Sequence, residues 1–586
     1  MVDRFLGYLE DSVEAFLRIL RQEHIFMVGV ASVTGFLVGM SAVGFKWFIF
    51  VFYDFFYNRA LSIDFDSWSI TLLWIPVILA GAGLLVGILD FYFNKNLGDA
   101  SVAEAMKWAA VDQGRVPSRV MWHRTVTSVL TIGSGGSGGR EGPIVQIGSA
   151  IGSWVGRRIR ASSERIRLMT GCGAAAAIAA AFNAPLGGII FSIELILGDF
   201  NIKVFSPLIF SSVIATVTAR YMEGDVPVFD LPTYSMVSPY EIIFFMVVGL
   251  VGGLLAVLFY KTYFISHDVM GKIKIHRILL PALGGLMVGV IGIFFPDILG
   301  NGYDSMDKVL TGQMAWSLAL MLVFAKLIAT GITLGSEGSG GMFAPALFIG
   351  TMAGGVIGAG LHFLFPHLTG SSGVYALVGM GAVMSASAHM PLTMILMVFE
   401  LTNNYEVIAP IMVACISATF IYSYFLPNSI YAEKLRRRGI TIWSGRESTV
   451  MSGIKVKDVM TKDFETIPEN LPFKKIRSLI SRSKELYFPT VDEKGRMTGI
   501  LTVQDIREFM FESGLEDIVV AKELATEKVI MLFQDENLND ALEKFDIKDL
   551  DELPVVSRSN DRKILGVLRR KELLVAYKRA ILKTPM

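Results

Sequence analysis

Residues 133–143 of this chain have the sequence Gly133-Ser134-Gly135-Gly136-Ser137-Gly138-Gly139-Arg140-Glu141-Gly142-Pro143. Six glycines and two serines lead into an apolar run that begins at Pro143. Glycine lets backbone approach a ligand closely, and proline is favoured just inside the start of a helix. Such a helix start presents unpaired N–H groups and a dipole that favour an anion. We therefore predict an anion site here, for which the Glu141 carboxylate competes.

The same segment recurs about 202 residues later, as repeated architectures do. The second copy is Gly335-Ser336-Glu337-Gly338-Ser339-Gly340-Gly341-Met342-Phe343-Ala344-Pro345. A second pair of blocks, 185–195 and 391–401, matches at a similar offset. Two ordered matches indicate an internal duplication. Duplications with interrupted helices are typical of inverted-repeat transporters, whose site lies where the halves meet.

The composition indicates a membrane protein. The 586 residues carry a formal net charge of zero, with 53% hydrophobic and 18% charged residues and a mean hydropathy of +0.53. These values exclude an ordinary cytosolic enzyme and favour many membrane spans. The runs long enough to cross or nearly cross ~30 Å of hydrocarbon are 25–53, 70–93, 242–260, 278–295, 318–334 and 407–425. The run 143–155 is too short, and interrupted helices at membrane depth must line a protein-enclosed cavity.

The predicted organisation follows from where the composition changes. A basic cluster at 434–438 follows the last apolar run and places that end in the cytoplasm. The tail beyond it alternates strand-like and helical patterns, which predicts an α/β domain. The predicted divisions are an amphipathic cytoplasmic helix (1–22), a membrane domain (23–440) with repeats of about 26–220 and 240–426, a linker (441–450) and the α/β tail (451–586).

Other interpretations of the glycine-rich segment are weaker. Gly133-x-Gly135-x-x-Gly138 formally fits a dinucleotide fingerprint, but that site requires a preceding strand in a βαβ unit. The segment also lacks the Lys-[Ser/Thr] ending of a P-loop. Close helix packing through small residues remains an alternative. No catalytic or metal-ligating constellation is visible in the sequence, so we expect neither an enzyme nor a metal site.

With these motifs the chain resembles the CLC family of voltage-gated chloride channels and chloride/proton antiporters that carry C-terminal CBS domains. Residues 139–143 match the motif G-[KR]-E-G-P, 341–345 match G-x-F-x-P, and Ser429-Ile430-Tyr431 matches the pore-lining tyrosine segment. The resemblance implies an all-α polytopic membrane protein with the CLC fold, an inverted repeat with broken helices. An α/β pair of CBS domains follows, at about 454–515 and 525–583.

The resemblance also implies an assembly and a location. We expect a homodimer with one pore in each subunit, in a bacterial inner (plasma) membrane, with both termini cytoplasmic. Chloride or another small anion would be the permeating ion, and no cofactor is required. An adenine nucleotide is the ligand expected at the CBS domains.

The resemblance assigns roles within the pore. Glu141 is the expected gating residue, because an ionised carboxylate at a helix start mimics an anion and protonation removes its charge. The expected anion-binding residues are Ser101, Gly139, Arg140, Gly142, Met342, Phe343, Ala344 and Tyr431. Two alternatives stay open at this point: Glu141 as a structural partner of Arg140 or Arg124, and Tyr431 as a membrane-interface aromatic.

Two departures from the family pattern concern selectivity and proton coupling. Where the family has G-S-G-I-P, this chain has Gly98-Asp99-Ala100-Ser101, which places either Asp99 or Ala100 at the serine position, with Ser101 nearby. The contact to the anion is then expected from backbone alone, which leaves anion selectivity open. Leu195 occupies the position where antiporters commonly carry a proton-relaying carboxylate, next to Glu194.

An aliphatic side chain cannot relay a proton, so Leu195 favours a channel without tight proton coupling. We expect Glu194 to cap or hydrogen-bond rather than carry protons. A chloride/proton antiporter that uses water or Glu194 is the alternative. A nucleotide-sensing membrane receptor with a non-conducting pore is the third hypothesis.

The tail carries one complete nucleotide motif. The segment 499–505 matches G-h-x-[ST]-x-x-[DN], which assigns Thr502 to a phosphate and Asp505 to ribose hydroxyls. The second copy at 566–572 lacks both the hydroxyl residue and the Asp, so at most one ordinary adenosine site per subunit is expected. Arg569 or Arg570 could still bind an anionic nucleotide. Thr502 and Asp505 as turn and cap residues of an empty domain are the alternative.

Overall fold

The computed structural model describes residues 23–60, 70–94, 97–198, 202–224, 229, 236–440, 451, 454–483, 485–507, 519–527, 529–546, 550–558 and 563–583. The chain divides into two compact units, Met1–Ile440 and Thr441–Met586. The predicted helix 1–22 and the predicted linker 441–450 lie outside the described residues.

The described part of the first unit is helical. Its α-helices are α1 (Glu23–Tyr53), α2 (Trp74–Phe93), α3 (Val102–Ala110), α4 (Arg119–Gly133), α5 (Glu141–Arg158), α6 (Ser163–Phe182), α7 (Pro185–Phe191), α8 (Ile202–Glu223), α9 (Glu241–Lys272), α10 (Leu280–Phe294), α11 (Tyr303–Leu310), α12 (Trp316–Gly335), α13 (Phe343–Leu364), α14 (Ser372–Ala388), α15 (Pro391–Thr402), α16 (Ile408–Phe425) and α17 (Ile430–Arg437). A wider π-helical turn, Ser192–Leu197, follows α7.

Nine stretches among the described residues are long and apolar enough to cross a membrane. The predicted all-α membrane unit is therefore confirmed. Helix ends differ from the prediction: α5 has 18 residues where the sequence suggested 143–155, and α9 continues to Lys272, past residue 260. The hydrogen bonds of a helix join backbone groups and do not require apolar side chains. Both helices therefore continue through charged residues beyond the apolar runs.

The two repeats hold each other by reciprocal contacts. The N–H of Ser137 donates to Thr333 Oγ1 at 3.1 Å, and the N–H of Ser339 donates to Thr131 Oγ1, also at 3.1 Å. Each glycine-rich loop is thus fixed by the helix that precedes the other loop. Two halves related by a two-fold axis make contacts of this kind.

Two glutamates cap helices of the opposite repeat. The Glu194 carboxylate accepts hydrogen bonds from the first N–H groups of α15, those of Leu392 (3.3 Å) and Thr393 (2.8 Å), and from the Thr393 hydroxyl. The Glu400 carboxylate accepts the equivalent bonds from the start of α7, at 2.8 and 2.7 Å. A carboxylate at a helix start satisfies unpaired N–H groups and the dipole. The structure therefore places Glu194 in a capping position.

The second unit contains two three-stranded sheets, each with one parallel and one antiparallel pair. Its elements are β1 (Ile467–Pro468), α18 (Phe473–Ile480), β2 (Tyr487–Val491), β3 (Met497–Thr502), α19 (Val503–Arg507), α20 (Ala521–Leu524), β4 (Leu532–Phe533), α21 (Leu538–Asp546), β5 (Glu552–Val556), β6 (Ile564–Arg569) and α22 (Arg570–Lys583). Thr461 pairs with Val567 and Thr526 with Ile500, so each half adds a bridge to the other half's sheet. The predicted α/β tail is confirmed.

We predict that Glu194→Ala and Glu400→Ala destabilise the membrane unit by similar amounts. Each change removes charge-assisted hydrogen bonds worth about 1.5–3 kcal/mol and leaves N–H groups at a helix start unpaired. Thermal unfolding of the purified protein in detergent measures the effect, with Glu400→Ala as the matched control. A Glu194→Ala variant as stable as the wild type, beside a destabilised Glu400→Ala variant, would contradict the capping role.

Candidate anion site

Backbone pairing brings the two glycine-rich loops together. Gly139 and Gly341 exchange both of their N–H···O hydrogen bonds, each 2.7 Å long. A Cβ on Gly341 would lie 2.8 Å from the backbone N of Gly142, and a Cβ on Gly142 would overlap the carbonyl oxygen of Ala100. Only glycine permits this approach. The starts of α3, α5 and α13 therefore converge at one point.

Glu141 is the first residue of α5 and is completely buried. A Cβ on Gly139 would overlap Glu141 Oε2 and would lie 2.9 Å from the backbone N of Ala344. The carboxylate thus lies beside the start of α13, in the second copy of the motif. Its Oε2 atom has no hydrogen-bond partner in the part of the chain that the structure describes.

One of the two arginines considered as structural partners lies beside this carboxylate. Arg140 Nε is 3.9 Å from Glu141 Oε1, which is a loose ion pair beyond hydrogen-bond distance. Arg124 is buried and donates instead to the Gln146 side chain (2.9 Å) and to the carbonyls of Leu97 and Gly98.

Aromatic residues complete the site. Phe343, the first residue of α13, is buried with its ring centroid 5.4 Å from that of Phe182 and 6.5 Å from that of Phe191.

Tyr431, in the first turn of α17, is completely buried rather than at a membrane surface. Its hydroxyl interacts electrostatically with Glu141 and has no hydrogen-bond partner among the described residues. Because a buried unpaired hydroxyl is costly, Tyr431 is suited to donate to a ligand.

The remaining predicted anion-binding residues flank these groups. Arg140 immediately precedes α5, with its side chain partly buried, and Met342 immediately precedes α13. Met342 and Ala344 are both buried. The backbone at the start of α13 therefore lies beside the Glu141 carboxylate, and the Arg140 guanidinium lies over the ring of Tyr303.

Asp99 accepts hydrogen bonds from Ser101, one of the predicted anion-binding residues. The Ser101 hydroxyl and N–H both donate to Asp99 Oδ1, at 2.7 and 3.3 Å. The other carboxylate oxygen of Asp99 forms an ion pair with Lys434 of α17. Gln146 fixes this loop by donating to the carbonyls of Asp99 and Ser101, both at 2.6 Å.

A cavity of about 860 Å³ adjoins the site. Its lining includes Ala100 and Gly340, which neighbour the converging backbone. Its charged lining carries both signs: Arg124, Arg277, Lys434, Arg437 and Arg438 against Asp90, Asp99, Asp268 and Glu337.

Leu195 is buried in the π-helical turn that packs against α3. The residue before this turn, Phe191, contacts Phe343, so the turn begins close to the site. The carboxylate of the neighbouring Glu194 accepts a hydrogen bond from the N–H of Thr393 at the start of α15. Within this turn, the one carboxylate is thus a helix cap, and the position next to it is apolar.

Tyr303 is a site residue that the sequence motifs do not predict. It begins α11 and donates its hydroxyl hydrogen to Glu141 Oε1 at 2.5 Å. The offset of about 202 residues carries Ser101 onto Tyr303, and this was the signal that could have found it. Lys326 holds the preceding loop by donating to the carbonyls of Ile298 and Gly300.

In the second unit the predicted nucleotide residues bond to each other. The N–H and hydroxyl of Thr502 both donate to Asp505 Oδ2 at 2.8 Å, and the Asp505 N–H donates back to the Thr502 hydroxyl at 3.2 Å. Such reciprocal bonds cap the start of a helix, here α19. The pair therefore has a structural role whether or not a ligand binds.

The equivalent position of the second half is an ion-pair cluster. Arg569 pairs with Glu485 at 2.6 Å and with Glu552 at 3.0 Å, and its N–H points to Glu572. Burial raises the pKa of Glu552, and the Arg569 guanidinium partly offsets this shift. No group of potential metal ligands occurs among the described residues of either unit.

Comparison with known proteins identifies the family. Residues 82–423 match the family model of the voltage gated chloride channel, and residues 456–512 and 521–579 match the CBS domain. The chain is 28% identical over 580 residues to the chloride channel protein CLC-f of Arabidopsis thaliana, covering 86% of this chain and 73% of that protein. It is 31% identical over 384 residues to the H(+)/Cl(-) exchange transporter ClcA of Vibrio parahaemolyticus, covering 63% and 81%.

A solved structure shows the same fold. The slow cyanobacterial Cl−/H+ antiporter matches with a TM-score of 0.66 at 26% identity, over 70% of this chain and 97% of the antiporter. The resemblance stated from the motifs is confirmed. This chain therefore belongs to the voltage-gated chloride channel family, as a multi-pass integral membrane protein whose second unit is a pair of CBS domains.

Proposed function

We propose that this protein conducts chloride and similar small anions across a membrane, through a pore that Glu141 gates. The observation that carries the proposal is the position of the Glu141 carboxylate, which is buried at the meeting point of α5 and α13 with Oε2 unpaired. That point is where helix dipoles and N–H groups favour a negative charge. The proposal includes a homodimer in a bacterial inner membrane, with cytoplasmic termini.

The gating step follows from competition for one site. The ionised carboxylate occupies the place of an anion, whereas a protonated carboxyl group has lost the charge that the helix starts attract. Chloride then takes its place against the backbone beside Gly142 and Ala344, and the Tyr431 hydroxyl donates to it. Amide dipoles hold an anion without a directly bonded cation, which suits a site that must release its ion quickly.

At the inner end of the pore, backbone groups rather than a serine hydroxyl donate hydrogen bonds to the anion. The Ser101 hydroxyl is engaged by Asp99, so backbone groups at the start of α3 supply the contacts to an anion. Lys434 attracts anions into the cavity, while its ion pair with Asp99 limits how tightly they bind there.

The geometry supports channel conduction better than coupled exchange. Leu195 is apolar, and the Glu194 carboxylate accepts hydrogen bonds from Thr393 of α15. Chloride/proton exchange is the second candidate. It is favoured by the similarity to the Vibrio exchange transporter and to the cyanobacterial antiporter.

We predict chloride flux without stoichiometric proton movement. Purified protein reconstituted into liposomes would be tested with chloride and proton electrodes recorded together. A channel dissipates the chloride gradient, and its reversal potential ignores a pH gradient. Uphill proton movement driven by the chloride gradient would contradict the channel and establish exchange.

We predict that Glu141→Gln, which mimics the neutral side chain permanently, abolishes the pH dependence of chloride flux and increases flux at neutral pH. Proteoliposome efflux measured from pH 4 to pH 8 tests this. Glu164→Gln is the control, because it removes an exposed carboxylate in the first turn of α6. Wild-type pH dependence in Glu141→Gln would contradict the gating role.

We also propose that the CBS pair binds an adenine nucleotide at Thr502 and Asp505 and thereby regulates the pore. Asp505→Ala removes a carboxylate that would accept hydrogen bonds from the ribose hydroxyls. The affinity of this variant for ATP, ADP or AMP should be at least about tenfold lower than that of the wild type. Isothermal titration calorimetry on the full-length protein measures this.

The matched control is Glu572→Ala, because Glu572 takes the place of Asp505 in the second half. No nucleotide binding by the wild type, or equal loss in both variants, would contradict a site at Thr502 and Asp505.

A further inference from the structure

Tyr303 provides a hydrogen bond to the gating carboxylate. Its hydroxyl donates to Glu141 Oε1 at 2.5 Å, while Oε2 has no partner among the described residues. Hydrogen bonds from a neutral hydroxyl to a carboxylate are short and stronger than those to the neutral acid. The Tyr303 hydroxyl therefore stabilises the ionised form of Glu141 in its buried position.

Two contacts hold the phenol ring, and Lys326 holds the loop that precedes its helix. The Arg140 guanidinium carbon lies 4.8 Å from the Tyr303 ring centroid. The ring of Phe229 packs edge-on against the Tyr303 ring, with the two centroids 5.4 Å apart. Lys326 holds the loop before α11 through two carbonyl oxygens. A donor held this firmly loses little freedom when it bonds the carboxylate.

Besides Tyr303, two charged or titratable groups among the described residues interact with Glu141. Arg140 of the α5 start lies 3.9 Å away, Tyr431 of α17 interacts electrostatically, and α3 and α13 present backbone. The Arg140 guanidinium lies over the Tyr303 ring and forms a loose ion pair with the carboxylate, without a hydrogen bond. The Tyr303 hydroxyl donates a hydrogen bond to Glu141, and this bond must break before the side chain can leave.

We propose that Tyr303 is the positioning residue of the gate: its hydroxyl holds ionised Glu141 in the anion site and sets the pH at which the pore opens. This inference rests on the proposed gating by Glu141. Loss of the hydroxyl makes the seated carboxylate easier to protonate and displace, so opening moves to less acidic pH.

Tyr303→Phe tests the proposal, because it removes the hydroxyl and keeps the ring. We expect the pH of half-maximal chloride efflux to rise by about one unit, the size of one charge-assisted hydrogen bond. The same substitution in a Glu141→Gln background should change nothing, because the carboxylate is gone. Tyr422→Phe, which removes a buried hydroxyl that donates to the Asn428 carbonyl, should keep the wild-type profile.

The outcomes separate the two claims. A wild-type pH profile in Tyr303→Phe, with pH dependence lost in Glu141→Gln, would overturn the role of Tyr303 and leave the gate intact. A further shift produced by Tyr303→Phe in the Glu141→Gln background would also overturn it, because the hydroxyl would then act elsewhere. Retained pH dependence in Glu141→Gln alone would defeat the proposed gate and this inference with it.

Discussion

The close approach of Gly139 and Gly341 is the constraint on which the membrane unit depends. Their mutual hydrogen bonds leave no room for side chains, since a Cβ on Gly139, Gly142 or Gly341 would collide with backbone or with the Glu141 carboxylate. The collision limits these positions to glycine. As a result, helices from both repeats begin at one point and direct their N–H groups to the same small volume.

Two of the cations near this point bond to backbone rather than to the anion site. Arg124 and Lys326 lie at equivalent places in the two repeats, and each donates to carbonyl oxygens of the loop before a short helix, α3 or α11. They fix the loops that carry Ser101 and Tyr303. The positive potential at the site then comes from the backbone dipoles of the helix starts and from Arg140, whose Nε lies 3.9 Å from the Glu141 carboxylate. A site without a hydrogen-bonded cation can release its ion rapidly.

The sequence predicted the membrane unit and the α/β tail, because apolar runs and alternating strand and helix patterns encode them directly. The duplication indicated a site where the two halves meet, and the family resemblance implied that the second motif copy contributes to it. The hydrogen bond from Tyr303 was not foreseen, since no local pattern marks a tyrosine that meets a carboxylate 162 positions earlier. The engagement of Ser101 by Asp99 was missed for a similar reason, as spacing alone does not show where a hydroxyl points. The role of Glu194 as a cap was anticipated, and its reciprocal partner Glu400 became visible only in three dimensions.

The central claim is that the buried Glu141 carboxylate occupies the place of the permeating anion. Anomalous diffraction from crystals of Glu141→Gln grown in bromide tests it most directly. The account predicts a bromide peak at the present carboxylate position, within hydrogen-bond reach of the backbone at the start of α13. A structure with bromide bound elsewhere in the pore, and none between the starts of α5 and α13, would contradict it.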